Sequence, residues 1–135
     1  MTYAIADLTA IEPEAVACLK KEGIRTTAKL LELAKDAKGR RKLAESTGIP
    51  EKNILQWANL SDKMRIKGVG EDYAHLLQAA GVDTLRELRY RNPSRLAQAM
   101  AEANVKRKLV RVLPSDRAVV RWIEHARKLP QKITY

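Results

Sequence analysis

The pentapeptide Ile66-Lys67-Gly68-Val69-Gly70 carries the residue types best suited to chemistry in this chain of 135 residues. Two glycines one residue apart, flanked by aliphatics, describe a turn tight enough to hold two helices side by side. The first amides of the helix that follows lack intrahelical partners and lie at the positive end of its dipole, so they form a site for an anion such as a phosphate. Tyr73, Leu76 and Leu77 continue at helical spacing, and Ala80-Gly81-Val82 closes the segment. The turn's expected phosphate-facing set is Lys67, Gly68, Val69 and Gly70. The alternative is structural: Gly68 and Gly70 permit the turn and close helix packing, nothing more.

Two basic clusters offer a second route to a polyanion. Lys38, Arg40, Arg41 and Lys42 form one, with Lys35 nearby, and Lys106, Arg107, Lys108 and Arg111 form the other. Arg86, Arg89, Arg91 and Arg95 add to the second. Residues 24–65 and 89–135 carry net charges of +5 and +9, whereas residues 1–23 and 66–88 carry −2 each. All the positive excess therefore lies outside the glycine turn. Glu71 and Asp72, directly after Gly70, stabilise a helix start but compete with a phosphate for the same amides. Charge runs are often only solvated faces, yet an excess this large exceeds what solubility needs. Aromatic interleaving is poor, and Tyr90, among arginines, is the one candidate for base stacking.

Catalysis is not expected. His75 and His125 have no Cys, Asp or Glu in triad or ligand spacing, and His125 and Glu124 are adjacent helical residues that point apart. Cys18 corresponds to Leu76 in an internal repeat and reads as a packing residue. Gly68-Val69-Gly70 lacks the third glycine and the lysine of a nucleotide-binding loop. No metal-ligand spacing occurs, and no cofactor is implied.

The elements that position these residues are helical throughout, since apolar residues recur at three and four and strand-like alternation is absent. Pro13 sits in a first turn that buries Val16 and Leu19 and ends at Gly23. Thr26 caps the next helix, Gly48 closes another that starts near Lys38, and Asn53 to Met64 is amphipathic. In the second half Thr84-Leu85-Arg86-Glu87 is a capping box, Asn92-Pro93 starts a helix, and Ser115 caps one that Pro130 stops.

The halves repeat. Setting Gly23 on Gly81 aligns Leu8-Thr9-Ala10-Ile11-Glu12 with the glycine pentapeptide, and Leu19, Ile24, Thr26 and Leu30 with Leu77, Val82, Thr84 and Leu88. The stretch Pro50 to Trp57 resembles Pro114 to Trp122. The expected fold is all-α, two pseudo-repeated halves at 1–65 and 66–135, with Trp57 and Trp122 in matching cores. Ala10 and Glu12 replace both glycines in the first copy, which keeps the packing and loses the phosphate-facing backbone.

These segments resemble a family of small, uncharacterised bacterial proteins built from tandem helix-hairpin-helix elements. The resemblance rests on Met64 to Gly70, Ala80 to Leu85, Arg89 to Pro93, and the tail from Leu109 through Trp122 to Pro130 and Tyr135. It implies a fold rather than an activity; the wider helix-hairpin-helix group binds DNA without sequence preference, which is an argument by analogy. The net charge of +10 and a pI near 9.9 agree with a nucleic-acid partner. One cysteine suits a reducing compartment, and no signal peptide or membrane span is read, so a cytoplasmic protein is expected. The expected function is sequence-independent binding of nucleic acid, duplex DNA foremost. The alternative is a protein-interaction adaptor of the same fold, with the acidic turns facing a basic partner.

Overall fold

The computed structural model describes residues 2–135 and contains eight α-helices among them, with no strand beyond an isolated antiparallel bridge between Ala4 and Thr26. The fold is all-helical. The chain divides into two compact units: one runs up to Asp62 and includes Lys132–Tyr135, and the other spans Lys63–Gln131.

In the first unit, α1 (Pro13–Lys21) packs on a short 3-10 turn at Ile5–Asp7, and α2 (Thr27–Leu33) packs on α3 (Ala37–Thr47). Pro13 occupies the first turn of α1, where its missing N–H costs nothing. Thr26 caps α2 by accepting from the Lys29 amide at 3.2 Å, and Asp36 caps α3 by accepting from Gly39 at 2.7 Å. Gly48, at φ 75°, ends α3 in the left-handed region. A last helix, α4 (Glu51–Lys63), ends where the units divide, with Ile54, Trp57, Ala58 and Leu60 buried. Apolar burial of Ile5, Leu19, Ile24 and Leu30 supplies the main driving force.

The C-terminal tail belongs to this first unit rather than hanging free. Ile133 is buried, the Thr134 amide donates to the Lys35 carbonyl at 2.7 Å, and the Tyr135 hydroxyl donates to Asn59 Oδ1 at 2.7 Å. Arg40 holds it in place. Its guanidinium donates to the carbonyls of Ala34 (2.9 Å) and Thr134 (2.8 Å) and lies 6.0 Å from the Tyr135 ring centre.

The second unit contains α5 (Glu71–Ala79), α6 (Leu85–Leu88), α7 (Pro93–Arg107) and α8 (Asp116–Lys128). Helix α7 packs against both α5 and α8, and α6 against α8. Asn92 and Ser115 cap α7 and α8, accepting from Arg95 and Ala118 amides at 3.1 Å each. At α6 Thr84 accepts from the Glu87 amide, but Glu87 reaches back to the Asp83 amide (3.1 Å), one residue before the cap. Arg89 is half-buried and donates to the Ala126 and Leu129 carbonyls, satisfying acceptors that the end of α8 leaves open. It therefore belongs to the framework.

With Gly23 set on Gly81, α1 and α5 share the same register. Glu22 and Ala80 end them with φ/ψ of −87°/8° and −85°/5°, and Gly23 and Gly81 follow at φ 80° and 98°. The Ile24 and Val82 amides then return to the Leu19 and Leu77 carbonyls at 3.0 and 2.9 Å.

Candidate nucleic-acid interface

The two glycines of the turn behave differently. Gly68 lies at φ +91°, a conformation that costs an L-residue about 1–2 kcal/mol, and a Cβ there would come within 3.4 Å of Trp122 Nε1. Gly70, the N-cap of α5, has φ −89° and ψ −170°, open to any residue, and a Cβ there would meet nothing within 4 Å. The backbone thus favours glycine at position 68 but not at 70.

Two of the four turn residues are occupied by the fold. Val69 is buried and its amide donates to the Ile66 carbonyl at 3.0 Å. The Lys67 amide donates to His125 Nδ1 at 3.3 Å, so the turn is tied to α8 through the imidazole, while the Lys67 side chain is exposed. The amides of Gly68 and Gly70 have no protein acceptor among the described residues, and Gly70 supplies no side-chain cap to α5.

The acidic residues after the turn part company. Glu71 directs Oε2 to His75 Nε2 at 3.1 Å, one turn along α5, and its side chain is only 12% exposed. Asp72 is exposed. This pair corrects the expectation that His75 has no acidic neighbour, and the i, i+4 spacing of Glu71 and His75 is the signal for it in the sequence.

Of the basic clusters, Lys38, Arg41 and Lys42 are exposed on α3, at the i, i+3, i+4 spacing that shares one helix face. Arg40 is a correction: it is 5% exposed and its guanidinium is committed to the Ala34 and Thr134 carbonyls, so it cannot reach a phosphate. Lys106 and Arg107 form the exposed last turn of α7, Lys108 caps it at φ 48°, and Arg111 lies exposed in the following loop. Among the described residues, Arg41 alone of these seven exposed cations has a carboxylate within ion-pair distance, Glu51 at 3.8 Å. Tyr90 is 77% exposed. Cys18 is half-buried rather than fully packed.

Sequence reasoning missed a cleft of about 850 Å³ beside the glycine turn. Trp122, Tyr73 and Ala118 line it together with the Val112–Pro114 loop, and Lys67, Arg121 and Lys128 stand exposed around it. The loop is fastened from both sides. The Tyr73 hydroxyl donates to the Val112 carbonyl at 2.9 Å, and the Asn104 amide side chain exchanges two hydrogen bonds with Val110, 3.0 Å each. The first unit's turn also borders a hollow, but Asp7 and Glu12 face Lys20 there, which gives no cationic excess. Among the described residues no group of three or more His, Cys, Asp or Glu could hold a metal ion, and no helix is long and apolar enough to cross a membrane.

Fold and surface together define an all-helical protein with exposed cationic segments and a glycine turn opening on a partly apolar cleft. The chain belongs to the family described as Domain of unknown function (DUF4332), whose model matches residues 9–129. No curated protein and no solved structure matches the chain significantly.

Proposed function

We propose that this protein binds nucleic acid without sequence preference, duplex DNA foremost, and acts by binding rather than as an enzyme. The observation that carries the reading is the set of seven exposed cations, Lys38, Arg41, Lys42, Lys106, Arg107, Lys108 and Arg111, of which six have no carboxylate partner among the described residues. Cations left without local counter-charge set up a field that draws polyanions and exchanges the counterions of a phosphate backbone. In this reading the glycine turn and α5 form a helix-hairpin-helix element in a bacterial, cytoplasmic protein. The Gly68 and Gly70 amides would add a backbone contact beside Lys67. Glu71, held by His75, would be drawn away from that contact, and Asp72 would weaken it.

Neutralising the two clusters tests the reading. Arg41→Gln, Lys42→Gln, Lys106→Gln and Arg107→Gln combined should weaken binding to a labelled random duplex by at least about 100-fold at low salt, at roughly 1 kcal/mol per lost phosphate contact. Unchanged affinity in the folded variant would remove these residues from the interface. Failure of the native protein to bind any duplex would leave the adaptor reading, with the acidic turns meeting a basic protein.

A further inference from the structure

The cleft beside the glycine turn contains a donor that the protein does not use. Trp122 is 3% exposed, yet its indole N–H, whose nitrogen would lie 3.4 Å from a Cβ at Gly68, donates to no acceptor among the described residues. Among the described residues no fully buried side-chain nitrogen or oxygen lacks a partner, so this N–H is reached by solvent and is open to an acceptor brought from outside. Around it stand three cations, Lys67, Arg121 and Lys128, against one carboxylate, Glu124. The lining is also partly apolar: Val112 is 72% and Leu113 41% exposed, with Pro114 and the Tyr73 ring, whose centre lies 5.3 Å from that of Trp122. Tyr73 and Asn104 fasten the loop that walls the cleft.

A ligand that fits this mixed lining carries an anionic group, acceptor oxygens and a flat apolar part. We infer that the cleft holds one or two unpaired nucleotides of a nucleic-acid strand, phosphate toward Lys67 and the Trp122 N–H, base against Val112–Pro114 and Tyr73. A cleft of about 850 Å³ is within the usual range for small-molecule sites and is larger than one nucleotide requires. The assignment rests on the nucleic-acid reading and deepens it, since a strand end or overhang would enter the cleft while exposed cations follow the backbone.

The test follows the Trp122 indole N–H cross-peak in proton–nitrogen NMR spectra of the full chain, assigned with Trp57→Phe. The probe is a 5′-phosphorylated thymidine dinucleotide, with inorganic phosphate as control. The dinucleotide should shift the Trp122 peak and leave the Trp57 peak in place. Ala118→Leu fills the cleft without changing charge and should weaken that response by about tenfold or more. The native protein's affinity for blunt duplex should stay the same in this variant. A Trp122 peak unmoved by the dinucleotide, in a protein that binds blunt duplex, overturns the cleft assignment and leaves the wider function standing. An equal shift from phosphate alone overturns it as well. A dinucleotide response that Ala118→Leu abolishes, without blunt-duplex binding, upholds the cleft and refutes the duplex reading.

Discussion

Replacing Gly68 and Gly70 separately by alanine should give two very different proteins. At Gly68 the backbone is left-handed (φ +91°), and a Cβ would sit in ordinary contact with the Trp122 indole at 3.4 Å, so the cost is mainly torsional. That cost is about 1–2 kcal/mol, which multiplies the unfolded fraction by roughly 5–30. At Gly70 neither torsion nor space opposes a methyl group. Alanine is the poorer N-cap by about 0.5 kcal/mol, while the loss of unfolded-state freedom returns about 0.4–1 kcal/mol. The expected net change at Gly70 is within about 0.5 kcal/mol of zero. Urea unfolding followed by far-UV circular dichroism reads both values, with an unchanged slope showing that the folded and unfolded states stay comparable. Equal destabilisation by the two substitutions would refute the reasoning, as would a neutral Gly68→Ala. Gly70→Ala also places a methyl where a phosphate would approach, so duplex affinity should fall while stability holds.

Other substitutions separate framework from surface. Arg40→Ala should cost about 2–4 kcal/mol in urea unfolding, because two carbonyls lose a charged donor and Tyr135 loses its cation. Arg41→Ala, one residue on and exposed, should change stability by less than about 0.5 kcal/mol, with its effect confined to nucleic-acid affinity. Tyr73→Phe removes the bond to the Val112 carbonyl, lowering stability by about 0.5–1.5 kcal/mol and speeding hydrogen exchange in the Leu109–Pro114 loop.

Helix punctuation was legible because it is local chemistry. Pro13, Thr26, Gly48, Thr84, Asn92 and Ser115 stand where their side chains or torsions predict. The roles of individual arginines were not legible, since a guanidinium serves a distant carbonyl as readily as a phosphate. Arg40 meets Thr134, and Arg89 meets Leu129, across sequence separations that no spacing rule reaches. The tail was hidden for the same reason: Ile133 and Tyr135 find buried or bonded places through tertiary contact alone. The cleft was invisible because the Val112–Pro114 loop, Trp122 of α8 and Lys67 of the turn come together only in the folded unit. The repeat pointed to the turn but not to the His125 imidazole that ties it down.

The central claim is that exposed cations of this chain neutralise a nucleic-acid backbone, and salt dependence tests it most directly. Fluorescence anisotropy of a labelled random duplex would be measured between about 50 and 200 mM salt, where each phosphate contact contributes about −0.9 to the slope of log K against log salt. Engagement of one cluster, the three exposed cations of α3 or the four at and after the end of α7, should give a slope of about −2.7 to −3.6 and a dissociation constant in the micromolar range or tighter at the lower salt. No binding at low salt, or binding with a slope near zero, would contradict the account.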